Sequence, residues 1–311
     1  MPWTGSADKT NSGTRILKKR KRKDALAFLS FRGILYLVNA TAVVLILVLL
    51  AKAKPLLLAV PLAELVGSSF WHPLQGRFGF LPFIAGSVGV TAIAMVLALP
   101  ICLLSAVYIV EYASRRVREI TRFLVDLMAG IPSVIYGLFG VVLVVPFVRA
   151  LGDLCGAETT GYSLLAGGII LAVMVTPIII SVSAEVLLNI PREARESALA
   201  LGATRLETVQ HVVLKIARRG ILAAVVLGFA RAFGETMAVM MVAGNVASVP
   251  SSLFDPSYPL PALIANNYGE MMSIPLYDSA LLLAALILMV VVGAGSLAAH
   301  WTLVRSYGRM S

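Results

Sequence analysis

The stretch GFARAFGETMAVMMVAGN, residues 228–245, places an arginine and a glutamate, Arg231 and Glu235, inside a long apolar run. A charged side chain near the centre of a bilayer costs about 2.5–3.5 kcal/mol even on lenient insertion scales. On a continuous helix, two residues four positions apart lie on one face. The stretch therefore predicts a membrane helix whose charged face is sheltered inside a bundle with some polar volume.

The composition of the whole chain is that of an integral membrane protein. Its 311 residues are 59% hydrophobic and 14% charged, and the mean hydropathy is +0.90. A soluble globular protein of this length needs more polar surface. Cys102 and Cys155 give no disulfide framework, and His72, His211 and His300 lack the spacing of metal ligands, so no metal site is expected.

Six apolar windows are long enough to cross a bilayer, which takes about 20 residues. They are residues 33–51, 82–110, 123–148, 164–186, 221–243 and 279–304. Prolines are expected to break three of them: Pro100 the second, Pro132 and Pro146 the third, and Pro177 the fourth. A backbone carbonyl freed by proline is tolerated in a bundle or a wet cavity but not in lipid. The fold class predicted is all-α, with six transmembrane helices in one bundle.

The distribution of positive charge predicts the orientation in the membrane. Twenty-one Lys and Arg residues lie before residue 33, in loops 112–122 and 187–220 or in the C-terminal tail. The connections expected on the opposite side of the membrane contain only four. Because cytoplasmic segments carry the excess of Lys and Arg, both termini are expected in the cytoplasm of a multi-pass protein. The run KKRKRK, residues 18–23, is then interpreted as topogenic charge beside a retained signal anchor, and no nucleic-acid partner is expected.

These observations give the expected organisation of the chain. It comprises a basic cytoplasmic tail at 1–32, a first transmembrane helix at 33–52, a periplasmic loop at 53–81, a core of five transmembrane helices at 82–304 and a cytoplasmic tail at 305–311. The core contains a cytoplasmic loop at 187–220 and a periplasmic loop at 245–278.

The loop at 187–220 has the pattern of a helix–turn–helix. Pro191 and Glu193 favour the first turn of a helix that Gly202 ends. Thr204 with Glu207 three residues later predicts a capping box for a second helix. Such a hairpin could insert into a groove on a cytoplasmic partner or lie on the membrane surface, and periodicity leaves both open.

Part of this loop resembles the EAA loop of ABC importer permeases. The matching residues are Glu196-Ser197-Ala198, Gly202 after three residues, and Val212-Val213-Leu214 after nine more. The family usually has alanine at Ser197 and proline at Lys215. Four further strings resemble phosphate importer permeases of the PstC type: GFLPFIAGSVGVT, AGIPSVIYGLFG, REARESALALGAT and RAFGETMAVMMVAGN. The resemblance extends from about Phe70 to Gly308.

The resemblance implies a type I ABC importer permease fold in the bacterial inner membrane and a transport subunit rather than an enzyme. The chain has no G-x-x-x-x-G-K-[ST] motif, so ATP and Mg would be bound by a partner and no cofactor by this chain. The partners implied are a PstA-like second permease in a heterodimer, a PstB-like ATPase homodimer and a PstS-like phosphate-binding protein, besides membrane lipid. The ATPase-docking residues implied are Glu193, Glu196, Ser197, Ala198, Gly202 and Ala203.

Arg231 is expected about 15 Å into the fifth span, near the midplane of the bilayer. Its planar guanidinium can present two parallel donors to phosphate oxygens. Glu235 can accept a hydrogen bond from a protonated phosphate and hold Arg231 when no anion is present; a purely structural ion pair is the alternative. Further pathway candidates are the hydroxyls of Thr236, Ser133 and Tyr136 and of Thr91. For Thr91, Ser133 and Tyr136, the role of an interhelical hydrogen-bond donor is the favoured interpretation.

Other functions stay open on the sequence. A permease for sulfate or molybdate would share the same charge and periodicity. A membrane enzyme with Glu235 as general base lacks a second catalytic group nearby, and a signalling or scaffold subunit would use the charged tail and the exposed loop.

Overall fold

The computed structural model describes residues 7–269 and 274–307, with side chains described over 28–269 and 274–297. The chain forms two units, residues 1–52 and 53–311. The described helices are α1 (Ala7–Ala59), α2 (Leu62–Gly67), α3 (Leu81–Val107), α4 (Arg115–Gly130), α5 (Ser133–Phe139), α6 (Val145–Leu154), α7 (Leu164–Leu188), α8 (Arg192–Ala200), α9 (Arg205–Thr208), α10 (Leu214–Phe233), α11 (Met237–Val242), α12 (Leu260–Asn267) and α13 (Tyr277–Tyr307). Single π-helical turns span Tyr108–Tyr112, Gly140–Val144 and Val209–Val213, and β1 (Trp71–His72) pairs with β2 (Arg77–Phe78) around a 3₁₀ turn, Pro73–Gln75.

Helix α1 crosses the boundaries expected from the sequence. It begins at Ala7, inside the expected tail, and ends at Ala59, inside the expected loop. In the first unit, the amide of Asn39 donates to the carbonyl of Leu35, and the hydroxyl of Thr41 donates to that of Leu37. Polar groups satisfied by their own backbone do not interrupt an apolar helix, which explains why the membrane segment extends without a break.

Helix α7 is central to the second unit. Of the residues in its most apolar stretch, 61% are buried, against 39% for α3 and 33% for the helical stretch Ser133–Leu154. Small residues allow the close approach, because a Cβ on Gly228 of α10 would lie 2.6 Å from Cγ1 of Ile179 in α7. Val175 and Ile179 of α7 are fully buried between α3 and α10.

The third predicted window, residues 123–148, is wrong in its boundaries. The expected loop at 112–122 is largely helical, because α4 begins at Arg115 behind Ser114, whose hydroxyl accepts from the amide of Val117. The chain then breaks at Ile131 and Pro132, and the membrane-length helical stretch is Ser133–Leu154. The residue before a proline is pushed out of the helical region, which ends α4 and restarts the helix.

The other prolines do not break their windows. Pro100 lies inside α3 and Pro177 inside α7, and both helices are continuous. Pro146 lies in the first turn of α6, directly after the π-helical turn Gly140–Val144. Each proline removes one backbone donor, and a π-helical turn or a neighbouring helix can accommodate this loss.

The segment expected as a loop at 245–278 is well packed over its described residues. The amides of Leu164 and Leu165, at the start of α7, donate to the carbonyls of Asp255 and Leu253, at 2.8 and 2.9 Å. The amide of Leu260, at the start of α12, donates to the hydroxyl of Ser87 in α3. The segment therefore supplies acceptors for backbone amides in the first turn of α7, which have no partner within the helix. It also covers this end of the bundle.

Five described helical stretches are long and apolar enough to cross a membrane. They are Phe28–Ala59, Leu81–Tyr112, Ser133–Leu154, Leu164–Leu188 and Tyr277–Leu297. The remaining predicted window, 221–243, corresponds to α10 and α11, which are separate helices.

Candidate functional site

The helix carrying Arg231 ends two residues after it. Helix α10 stops at Phe233, residues 234–236 are not α-helical, and α11 begins at Met237. The amide of Gly234 donates to the carbonyl of Ala230, four residues earlier, and that of Glu235 to the carbonyl of Ala232, three residues earlier. The hydrogen bonding therefore tightens where the helix ends. Arg231 therefore lies at the C-terminal end of a helix, where the dipole favours a cation.

Arg231 and Glu235 do not form an ion pair. The two ion pairs found in the described side chains are Arg115–Glu119 and Arg195–Glu111. The expectation of two charges on one helical face is wrong because Glu235 lies beyond the end of α10. The four-residue spacing holds in sequence but not in helical geometry.

Both residues nevertheless border one open cleft. It has a volume of about 770 Å³ and is formed by α4, α7 and α10 with residues 234–235. Its lining residues are Ala129, Pro177, Ile178, Ser181, Val182, Leu227, Ala230, Arg231, Gly234 and Glu235. Arg231 is exposed in the cleft and Glu235 is half-buried. The cleft thus presents a guanidinium and a carboxylate among mainly apolar side chains.

Two glycines near Arg231 and Glu235 leave room for different neighbours. Gly228 receives Ile179 of α7 and so serves helix packing, whereas Gly234 has no side chain against it and faces the cleft. For Gly234, the signal in the sequence was its position next to the charged Glu235.

Glu235 also borders a second, much smaller space of about 10 Å³. Its other polar neighbours there are Ser87 and Thr91 of α3, both buried, and Pro259 lies at the start of α12. Glu235 therefore stands between the open cleft and the end of the bundle covered by the segment before α12.

The remaining predicted pathway residues do not line the cleft. The hydroxyl of Tyr136 donates to the carbonyl of Met128 at 2.8 Å and so holds α5 against α4 across the break at Pro132. Ser133 is the first residue of α5. Thr236 precedes α11, and its hydroxyl donates to the carbonyl of Gly234 at 3.4 Å.

The helix–turn–helix after α7 is confirmed in its local geometry. Helix α8 ends before Gly202, whose φ of +88° lies in the left-handed region, and the amide of Ala203 donates back to Ala198. The backbone and hydroxyl of Thr204 both donate to Oε2 of Glu207 at 2.8 Å, and the amide of Glu207 donates to the Thr204 hydroxyl at 3.3 Å. From Arg205 the chain is helical through α9 and one π-helical turn into α10.

Most of the expected docking residues are accessible. Glu193, Glu196, Ser197 and Gly202 are exposed, and Ala198 and Ala203 are half-buried. Sequence reasoning missed the apolar part of this surface, since Leu201 is 90% exposed and Leu199 and Leu206 are also exposed. Leucines in the last turn of a helix and in the turn that follows it were the available signal in the sequence.

Residues 98–303 match the family described as binding-protein-dependent transport system inner membrane component. The chain belongs to this family. It is 36% identical over 306 residues to the phosphate transport system permease protein PstC of Xylella fastidiosa (strain Temecula1), a match covering 92% of this chain and 93% of that protein. It is 40% identical over 209 residues to the probable ABC transporter permease protein YqgH of Bacillus subtilis, covering 67% of this chain and 66% of that protein.

A solved structure confirms the permease fold. A bacterial ABC transporter involved in the import of the acidic polysaccharide alginate superposes with a TM-score of 0.59 over 94% of this chain and 99% of that one, at 16% identity. This permease is therefore a membrane component of a transport system and not an enzyme.

A further cavity of the permease was not anticipated from the sequence. It has a volume of about 340 Å³, and its polar lining residues are Thr121, Arg122, Asp126, Ser181 and Glu185. Ser181 also lines the larger cleft, so the two spaces meet on α7. Asp126 lies within α4.

Proposed function

We propose that this permease is the transmembrane subunit of an ATP-driven importer of inorganic phosphate, forming half of the path along which phosphate from a periplasmic binding protein crosses the membrane. The observation that carries the proposal is the position of Arg231 at the broken end of α10, in an open cleft between membrane helices. The similarity to PstC over nearly the whole chain supports phosphate as the anion.

Arg231 is the anion-binding group in this proposal. Its guanidinium offers parallel N–H donors in the geometry of two phosphate oxygens. Leu227, Ile178 and Val182 surround it with apolar surface, which strengthens the attraction by lowering the local dielectric. One arginine facing one carboxylate gives a weak site, which suits a transport path because a tightly held anion would not leave.

Glu235 is proposed to limit the time for which phosphate stays bound in the cleft and to respond to movement of the surrounding helices. It repels a fully ionised phosphate and accepts a hydrogen bond from a protonated one. Because it borders both the cleft and the small space next to Ser87 and Thr91, its displacement would widen the connection between the two. Thr236 and Ser133 flank backbone breaks, and Tyr136 forms a hydrogen bond across one of them. These residues are proposed to position the elements around the cleft.

The surface around α8 is proposed to dock on the ATPase. Exposed carboxylates at Glu193 and Glu196 lie beside exposed leucines at Leu199 and Leu201, a mixture that suits insertion into a protein groove. The remaining docking residues are Ser197, Ala198, Gly202 and Ala203. ATP and Mg then belong to a PstB-like ATPase homodimer.

The full assembly proposed contains a PstA-like second permease and a PstS-like binding protein as well. Both termini lie in the cytoplasm, so that loop 187–220 faces the ATPase and the segment 245–278 faces the binding protein. The charge distribution that predicts this orientation supports it.

Uptake by the complete complex in proteoliposomes tests the proposal. Labelled phosphate should accumulate with ATP and loaded binding protein, and excess sulfate or molybdate should not compete. Arg231→Gln and Glu235→Gln should each abolish uptake while the complex still assembles, and Arg218→Gln, an exposed arginine of the same helix, should retain it. Uptake at the wild-type rate in either cleft variant would refute the role of the cleft, and competition by sulfate would refute the anion.

A further inference from the structure

The end of α3 is held by an arginine from α4. The helix finishes in the π-helical turn Tyr108–Tyr112, closed by the amide of Ala113 donating to the carbonyl of Tyr108. Carbonyls in the last turn of a helix lack partners within it. Arg118 donates from Nε to the carbonyl of Ile109 at 3.0 Å and from Nη2 to that of Val110 at 2.8 Å. The helix terminus is therefore a satisfied and fixed structure.

A second arginine, from α8, joins the same terminus to the end of α7. Arg195 donates from Nε and Nη2 to Oε1 of Glu111, at 3.2 and 2.9 Å. It also donates from Nη2 to the carbonyl of Leu187 at 2.8 Å and from Nη1 to that of Ile190 at 2.7 Å. One guanidinium thus connects α8, the end of α3 and the end of α7.

This pair is largely removed from water. The side chains of Arg195 and Glu111 are 19% and 14% exposed, whereas those of Arg115 and Glu119, the other described ion pair, are 93% and 66% exposed. A pair that is exposed to water contributes little, whereas one that is withdrawn from water leaves an uncompensated charge when either partner is lost. Loss of either partner of the Glu111–Arg195 pair is therefore expected to be costly.

Arg195 is also well placed relative to the docking surface. It lies directly before Glu196, yet Glu196 is exposed and Arg195 faces the membrane helices. Helix α8 has no fully buried side chain of its own, so its attachment depends strongly on these hydrogen bonds. Helix α7 continues from this junction to Ser181 and Pro177, which line the cleft.

We propose that Glu111 and Arg195 form the joint through which movement of α8 reaches α3 and α7, with both acting as positioning residues. The inference rests on the proposed docking of α8 on an ATPase. When the ATPase displaces α8, the joint makes the ends of α3 and α7 move with it, and the cleft between α4, α7 and α10 changes shape. Without the joint, α8 moves with the ATPase, and α3 and α7 move less than α8.

The ratio of ATP hydrolysed to phosphate imported, measured with the complete complex in proteoliposomes, tests the joint. In Glu111→Gln and Arg195→Gln, we expect the complex to assemble and hydrolyse ATP, with several-fold more ATP consumed per phosphate. The double variant should consume no more ATP per phosphate than the more severe single variant, since both changes remove the same interaction. Glu119→Gln, which removes the exposed pair within α4, should keep the wild-type ratio.

A distance measurement tests the joint without using phosphate. Spin labels at Leu104→Cys on α3 and Arg192→Cys on α8, both exposed positions, report the separation of the two elements in a Cys155→Ser background. The wild-type distribution should be narrow with and without ATP, and Glu111→Gln should broaden it. An unchanged distribution and an unchanged ATP ratio in Glu111→Gln would overturn the joint. If the wild-type complex imports no phosphate, the proposed substrate fails while the distance measurement still decides the joint.

Discussion

Arg231 and Glu235 border the same cleft from different elements of the chain, Arg231 from the last turn of α10 and Glu235 from the break before α11. No ion pair joins them, so the guanidinium is available to an anion. Because Glu235 lies outside α10, the geometry of a single helix does not set the separation of the two charges.

The first prediction concerns the shape of the cation. Arg231→Lys keeps the charge but replaces two parallel donors by one ammonium group. Losing one charge-assisted hydrogen bond costs about 1.5–3 kcal/mol, so we expect phosphate uptake to fall at least about tenfold. Uptake kinetics in proteoliposomes measure the effect, with Arg218→Lys as the control. Unchanged kinetics would mean that charge alone suffices at this position.

The second prediction concerns the turn after α8. Gly202 has a φ of +88° and open space where a Cβ would project, so a substitution there strains the backbone without a clash. Gly202→Val should cost about 1–3 kcal/mol locally and lose stimulation of the ATPase by loaded binding protein. Gly202→Asn is the matched control, because asparagine tolerates the left-handed region. Normal transport in Gly202→Val with a firmly bound ATPase would exclude this turn from docking.

The third prediction concerns pH. Hydrogen bonds from the backbone N–H and then the hydroxyl of Thr204 hold the pKa of Glu207 below its ordinary value. The resulting stabilisation of α9 is present at neutral pH and is lost as the pH falls through the lowered pKa, where the folded carboxylate becomes protonated. Hydrogen exchange of the amides of residues 204–208, corrected for the intrinsic pH dependence, should show weaker protection in acid. Glu207→Gln should lose most of this dependence; if it keeps the full dependence, another group is responsible.

The fourth prediction concerns the contact between α3 and α12. Ser87 accepts from the amide of Leu260 at 2.8 Å in a buried position and donates to the carbonyl of Phe83. Ser87→Ala leaves the Leu260 amide without its acceptor, which costs about 1–3 kcal/mol. Thermal unfolding of the purified permease should shift to lower temperature, whereas Ser105→Ala in the same helix should not shift it. Equal shifts in both variants would mean that the bond is not the cause.

The fifth prediction concerns topology. In intact cells, a membrane-impermeant thiol reagent should label Ser252→Cys and should not label Ser12→Cys or Gly308→Cys. Cys155 is exposed and lies at the same expected side as Ser252, so the background should be Cys155→Ser; Cys102 is buried and can remain. Labelling of Gly308→Cys from outside would contradict an even number of crossings.

The sequence by itself determined the class, the helix–turn–helix and the family. Apolar windows of membrane length need no partner to be recognised, since lipid imposes their composition. The Gly202 stop and the Thr204–Glu207 capping box depend on residues three or fewer positions apart, so they too could be predicted locally.

The tertiary structure decided where the helices break and which polar groups meet. Pro132 lies at a break between α4 and α5. Pro100 and Pro177 also lie inside apolar windows, yet the helices that contain them, α3 and α7, are continuous and pack on each other. The break after Arg231 separates two charges whose spacing fitted one helical face. Glu111 and Arg195, 84 residues apart, are joined by the convergence of three helix ends. Long-range contacts of this kind leave no local periodicity, which is why the sequence did not reveal them.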